Sequence, residues 1–390
     1  MLSKRIQTLS PSLTMAITTL ARELKESGKD VLSFSAGEPD FGTPMAIKEE
    51  AIKAIKEGHT RYTAVPGIAA LLESIAGKLK RENNLEYTSK QIIVSNGAKH
   101  SLFNLFQVLI DDGDEVIIPA PYWVTYPEQV KYSGGVPVII NTDDMTNFKI
   151  TPEQLKEAIT PKTKMLVLTT PSNPTGSVYT RDELKALGEV LKGTDIIVAS
   201  DEMYEKLVFG THEFTAVASI SPDMFKRTVT INGLSKSVAM TGWRVGYLAS
   251  PNEALIAAMN KLQGQSTSNI NSITQVASIV ALDGKVDDEI ESMRRAFEAR
   301  AMEAYELINE IPGVSVIKPQ GAFYLFVNIK DVSDSSIEFC KDLLQQTGVA
   351  VVPGIGFGSE GYFRFSYATD MVTIREGIRR IRKFVEGLRA

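Results

Sequence analysis

Seven short apolar runs constrain this 390-residue chain more than any other feature; they fall at residues 92–94, 115–118, 136–140, 165–169, 196–199, 228–231 and 245–249. Runs this short read as strands buried on both faces. Helix starts separate many of them. Thr151-Pro-Glu-Gln154, Thr180-Arg-Asp-Glu183 and Ser250-Pro-Asn-Glu253 each set a hydroxyl three residues ahead of a Glu or Gln, the spacing of a capping box. Strands alternating with helices predict an open, seven-stranded, mostly parallel α/β sheet with helices on both faces. One connection differs. Only the thirteen residues 232–244 join the last two runs, without helical periodicity. A parallel crossover needs about a dozen residues or more and usually a helix, so the last strand is predicted to run antiparallel.

The flanks have another character. Residues 12–26 show a helical pattern and 31–34 a short apolar segment; Thr43-Pro44 reads as an N-cap with proline at the first helical position, opening a helix to about Glu57. After about Lys285 a long charged helix is predicted over 287–310. Short strands follow at 314–317, 322–327, 349–352 and 363–366, with helices at 335–346 and 370–388. The expected organisation is a large domain over 44–285 and a smaller α+β domain over 286–390, with residues 1–43 contributing to the smaller one; the length alone favours two domains.

Composition narrows the function. The net charge is −5 and no long basic run occurs, which argues against nucleic acid as a partner. A single cysteine, Cys340, excludes an internal disulfide and suits a reducing cytoplasm. His59, His100 and His212 match no ligand spacing, so no metal site is expected. The apolar stretch 15–24 is broken by Thr18, Thr19 and Arg22, and nowhere do eighteen apolar residues follow one another. A soluble cytoplasmic protein with no membrane contact is expected.

Ligands of open α/β sheets sit at the carboxyl ends of strands, so those ends hold the candidate chemistry. The run 92–94 leads through Ser95-Asn96-Gly97-Ala98-Lys99 into a helix, a turn whose free N–H groups suit a phosphate. Trp123, after the run 115–118, is placed to stack on a flat ring, unless it is an ordinary loop aromatic. Thr170-Pro-Ser-Asn173-Pro-Thr-Gly176 is a rigid turn presenting one amide side chain. Asp201, at the mouth of a buried strand, needs a partner such as a pyridinium N–H, and Tyr204 follows three residues on; an N-cap aspartate and a packed tyrosine are the plainer alternatives.

Lys236 lies among small, hydroxylated and apolar neighbours, a setting that favours a neutral amine able to act as a Schiff-base nucleophile. Arg244, eight residues on, offers a fork of donors for a phosphate. Arg364 sits inside an alternating β run, where arginines commonly face solvent or a domain contact. Gly356-Phe-Gly358-Ser-Glu-Gly361 satisfies the dinucleotide fingerprint literally, but it runs into a β pattern instead of a helix, so a turn is the better reading.

Taken in order, Gly37-Glu-Pro-Asp40, Asn173-Pro-Thr-Gly176, Asp201-Glu-Met-Tyr204, Gly233-Leu-Ser-Lys236 with Met240-Thr-Gly-Trp-Arg244, and Arg364 resemble the class I pyridoxal-phosphate aminotransferases. Pro121-Tyr-Trp-Val124 and Gly321-Ala-Phe-Tyr324 are similar to its bacterial aspartate aminotransferase branch, of aspartate/prephenate type. The resemblance implies the type I fold of pyridoxal-phosphate enzymes and a ping-pong transfer from L-aspartate to 2-oxoglutarate. It implies Lys236 as the Schiff-base lysine, with Asp201 and Tyr204 beside it as catalytic residues. Gly97, Ala98 and Arg244 would hold the cofactor phosphate, Trp123 would cover the ring and Asn173 would bind its hydroxyl oxygen.

For the substrate, the resemblance implies contacts from Gly37, Trp123 and Asn173, and Arg364 as the clamp on the α-carboxylate. A dicarboxylic donor also needs a distal cation, for which Lys99 is the candidate, aided by Ser12 and Thr14. Tyr62 resembles the tyrosine that reaches the neighbouring subunit's cofactor phosphate, which implies a homodimer with shared sites. The downstream Gly-x-x-x-Leu-Arg pattern stands here as Gly67-Ile-Ala-Ala-Leu71-Leu72, without arginine. Prephenate, aromatic or alanine transaminases are alternatives. So is a non-catalytic pyridoxal-phosphate-binding module, although no basic helix-turn-helix region is seen.

Overall fold

The computed structural model describes residues 2–11 and 13–389. Its strands are β1 (Leu32–Ser33), β2 (Ile92–Asn96), β3 (Glu115–Ala120), β4 (Val136–Asn141), β5 (Thr163–Thr169), β6 (Ile197–Asp201), β7 (Thr228–Gly233), β8 (Val245–Ala249), β9 (Tyr324–Asn328), β10 (Val349–Ala350), β11 (Val352–Pro353) and β12 (Tyr362–Ser366). The expected seven-stranded sheet forms in the order β2-β8-β7-β6-β5-β3-β4. β8 is antiparallel to both β2 and β7, and every other pairing is parallel. Every residue of β7 and β8 is buried, as two-sided coverage by helices requires.

Several strands run further toward their carboxyl ends than their apolar residues suggest. β6 includes Asp201, β2 includes Asn96 and β7 includes Gly233. The ladder rather than a loop therefore fixes these polar residues: Asp201 lies level with Thr169 of β5 and Ile231 of β7.

Two of the three capping boxes form, at Thr151 with Gln154 and at Thr180 with Glu183. The third does not. The Ser250 N–H still donates to the Gln91 carbonyl, continuing the β8 edge, so the chain is not free to turn there. The helix Glu253–Gly264 is capped instead by Asn252, whose side chain accepts from the Leu255 N–H at 3.1 Å. Thr43 is likewise no cap. Pro44 occupies the cap position of the helix Met45–Lys56. The Thr43 hydroxyl donates to the Ala239 carbonyl at 2.8 Å and accepts from the Trp243 indole N–H at 3.1 Å, tying the N-terminal segment to the loop after β7.

The C-terminal part forms two small sheets. β11, β12 and β9 make an antiparallel sheet, and β10 pairs in parallel with β1. The expected strand at 349–352 is thus split at Val351 between the two sheets. The expected strand at 314–317 is reduced to one bridge, between Ser315 and Asn328. Phe34 stacks on Phe365 with centroids 4.3 Å apart, and its carbonyl accepts from the Ser366 N–H. That contact carries the chain of Gly37 to the mouth of the large sheet. Among the described residues no helix is long and apolar enough to cross a membrane.

Candidate active site

The carboxyl ends of β2, β5 and β6, the loop after β7, the N-terminal segment and β12 enclose a cleft of about 480 Å³. All the predicted site residues line it except Gly97, set just behind Arg244, and Tyr62. Because β7 ends at Gly233 level with Gly246 near the start of the antiparallel β8, the loop between them folds back over the sheet end. Lys236 sits on that loop. Its Nζ donates to the Gly37 carbonyl and lies 5.9 Å from the centre of the Tyr204 ring. Burial, then the charge of Arg364, bring the Lys236 pKa down to about 8, with Glu38 pulling it up, Arg244 down and Asp201 up. The amine is therefore neutral for a substantial fraction of molecules just above neutrality.

Asp201 is buried beneath this amine. Its Oδ2 accepts from the Tyr126 hydroxyl at 2.6 Å, and its Oδ1 accepts from the Met203 N–H at 3.3 Å. Burial raises its pKa, and the Tyr126 bond opposes that rise. Tyr204 directs its hydroxyl at that of Tyr324, 2.8 Å away. Trp123 flanks the cleft, with the Lys99 ammonium 4.9 Å from the centre of its ring. Burial and then the Arg244 charge lower the Lys99 pKa. Ser12 and the Thr14 side chain lie outside the described residues.

Gly97 caps the helix Ala98–Leu109 at φ +80°, a conformation that favours glycine. The first N–H groups of that helix have no carbonyl within it to bind. Arg244 closes the turn from the side, donating to the carbonyls of Asn96 at 3.3 Å and Thr241 at 3.0 Å. A Cβ on Gly97 would overlap the Arg244 guanidinium, and one on Gly246 would overlap the Gly97–Ala98 backbone. Across the cleft Arg364 is only 3% exposed. It donates to Asn173 Oδ1 at 3.0 Å and to the Ser35 carbonyl at 2.8 Å, while its buried Nε has no partner among the described residues.

A family model described as aminotransferase class I and II matches residues 29–381. The chain belongs to that family. The aminotransferase is 52% identical over 390 residues to an aspartate aminotransferase of Bacillus subtilis (strain 168), covering 99% of each chain. It is 47% identical to an aspartate/prephenate aminotransferase of Nitrosomonas europaea, over 97% of this chain and 98% of that one. The crystal structure of the aspartate aminotransferase from Rhizobium meliloti superposes with a TM-score of 0.96 at 39% identity, over 99% of both chains. The protein is a pyridoxal-phosphate-dependent transaminase of type I fold.

The site fits that cofactor. Glycine at 97 and 246 lets the turn and the Arg244 guanidinium pack closely together, and the free N–H groups that open the helix Ala98–Leu109 beside that guanidinium suit a phosphate. Asp201 is a buried carboxylate facing the cleft with no cation bonded to it among the described residues, which suits a protonated ring nitrogen. Sequence reasoning assigned no role to Tyr126, Tyr324 or Glu38. Tyr126 follows the quoted Pro121-Tyr-Trp-Val124 run, but nothing in that run shows that its hydroxyl meets Asp201. Tyr324 and Glu38 stand inside quoted motifs, but nothing in their spacing shows that Tyr324 meets Tyr204 or that Glu38 accepts from the Thr241 hydroxyl at 2.9 Å.

Proposed function

We propose that this aminotransferase moves the amino group of L-aspartate to 2-oxoglutarate, alternating between the two forms of its cofactor in a ping-pong cycle. The observation that carries the reading is the place of Lys236, a desolvated amine between the buried carboxylate of Asp201 and the buried guanidinium of Arg364. When bound, pyridoxal phosphate supplies an aldehyde that condenses with amines and a ring that accepts an electron pair. Lys236 would hold it through Nζ, and the same Nζ would move the proton from and back to the substrate. Asp201 keeps the ring nitrogen protonated, and Tyr126 orients Asp201. Asn173 and Tyr204 face the ring oxygen, Trp123 covers the ring, and Gly97, Ala98 and Arg244 hold the phosphate.

For the substrate, Arg364 receives the α-carboxylate through its guanidinium, and binding trades its present bonds to Asn173 and Ser35 for a bidentate pair. Gly37 borders the same cleft, where its lack of a side chain leaves room for substrate beside Tyr324. Lys99, at the rim, meets the distal carboxylate, which gives the preference for a dicarboxylic donor. Tyr62 is 92% exposed and outside its own cleft, which supports a role in the partner's site within a homodimer. The division at 1–43, 44–285 and 286–390 separates the sheet that bears the cofactor from the segments that bear Gly37 and Arg364. With one cysteine, buried at position 340, the reading assigns the protein to the cytoplasm.

The deciding experiment takes protein purified from the soluble fraction with pyridoxal phosphate and adds L-aspartate without an acceptor. The expected result is loss of the yellow colour with oxaloacetate equal to the bound cofactor. A yellow protein that ignores aspartate but responds to prephenate-derived, aromatic or alanine donors would overturn the donor assignment and leave the chemistry of Lys236.

A further inference from the structure

Tyr324 opens β9 and is fully buried. It faces Ser366 of β12 and so lies diagonally across from Arg364 on the same face of the small sheet. The Arg364 guanidinium sits 4.4 Å above the centre of the Tyr324 ring. At its other end the Tyr324 hydroxyl meets that of Tyr204, which belongs to the turn leaving β6 of the large sheet. Gly37 leaves space for this arrangement, because a Cβ there would come within 3.0 Å of the Tyr324 oxygen. One side chain thus touches the arginine read as the carboxylate clamp, the tyrosine read as facing the cofactor, and the segment whose carbonyl holds Lys236.

The direction of the hydroxyl pair follows from counting protons. Each phenol has one proton to donate. The bond to Tyr204 is the hydrogen bond of the Tyr324 hydroxyl among the described residues. Were Tyr204 the donor, the Tyr324 proton would be left without an acceptor in a fully buried place, which is costly. With Tyr324 donating, the Tyr204 proton is free to point into the open cleft. The positive charge over the Tyr324 ring makes its hydroxyl a better donor, favouring the same direction.

We propose that Tyr324 is a positioning residue for transamination: it donates to the Tyr204 oxygen, fixes the Tyr204 proton toward the cofactor's ring oxygen, and links that contact to the carboxylate clamp. The proposal rests on the reading of Tyr204 as a cofactor-facing group. A donor to the ring oxygen favours its ionised form. Weakening that donor therefore raises the pH midpoint of the cofactor's colour change and loosens the cofactor.

The test compares wild type, Tyr324→Phe, Tyr204→Phe and the double variant. It follows the colour midpoint by absorbance and the binding of pyridoxal phosphate to apoprotein by tryptophan quenching. Tyr324→Phe is expected to raise the midpoint and to weaken binding by about 2–10-fold, the effect of one net hydrogen bond. The double variant is expected to match Tyr204→Phe alone, since both act through one bond. A Tyr324→Phe midpoint equal to wild type, or shifts that add in the double variant, would overturn the proposal. A wild-type protein that never takes up colour would overturn the functional reading instead.

Discussion

Lys236 carries its charge less readily than a solvated lysine, and this has a consequence for stability that can be measured without cofactor. Its folded pKa, about 8, lies below the ordinary 10.5 that it regains on unfolding. Between these values the unfolded chain holds more protons, so stability rises with pH across that window. Below about pH 8 the full cost of burying the charged amine is present, on the order of 3 kcal/mol. Apoprotein carrying Lys236→Met escapes that cost. In urea titrations the variant should gain on wild type most at pH 7, and its advantage should shrink steadily as pH rises from 8 toward 10.5. An advantage independent of pH would show that Lys236 is not the titrating group. Arg364 is buried as well, and burial likewise lowers its pKa.

Among the elements, the joint between β8 and the helix Ala98–Leu109 is the tightest part of the site. Gly246 stands level with Ser95 in the ladder, and the backbone of Gly97–Ala98 passes directly over it. No flexible side chain can yield there, because the atoms a Cβ would meet are main-chain atoms. Gly246→Ala should therefore cost about 1–3 kcal/mol, the range for overpacking a rigid contact. It should also lower cofactor affinity at least tenfold by displacing the phosphate turn. Thermal unfolding and a pyridoxal-phosphate titration read the two effects, and a variant with wild-type affinity would show that β8 does not set the turn.

Much of this architecture was legible in order and kind. The seven runs, the reversed last strand and two capping boxes follow from periodicity and local chemistry, several residues of the cleft from their place at strand ends, and Gly37 and Arg364 from the family resemblance alone. What escaped depends on partners distant in sequence. Ser250 has the spacing of a cap but is held by Gln91, and Thr43 has its chemistry but bonds to Ala239 and Trp243. Tyr126 and Tyr324 show their roles only once the fold sets their hydroxyls beside Asp201 and Tyr204.

At the scale of the whole molecule, the turn at Gly97 has a second neighbour besides the cleft. A broad hollow lined by Asn96, Gly242, Trp243 and Arg244 adjoins it, while Tyr62 of the same chain stands in solvent outside its own site. Both facts fit an exchange in which the partner's Tyr62 enters this hollow and completes the phosphate contacts. Such sharing can be tested by mixing two defective proteins. One carries Lys236→Ala and has no amine; the other carries Tyr62→Ala and has a weakened phosphate site. In a mixed dimer one site receives both defects, and the other combines an intact Lys236 with an intact partner tyrosine. After equal amounts are unfolded and refolded together, half the dimers are mixed, each with one working site. Turnover at limiting cofactor should then reach about a quarter of wild type through a two-fold symmetric assembly. If Tyr62 served its own chain, each site would keep one defect, and the mixture would show only the average of its parents.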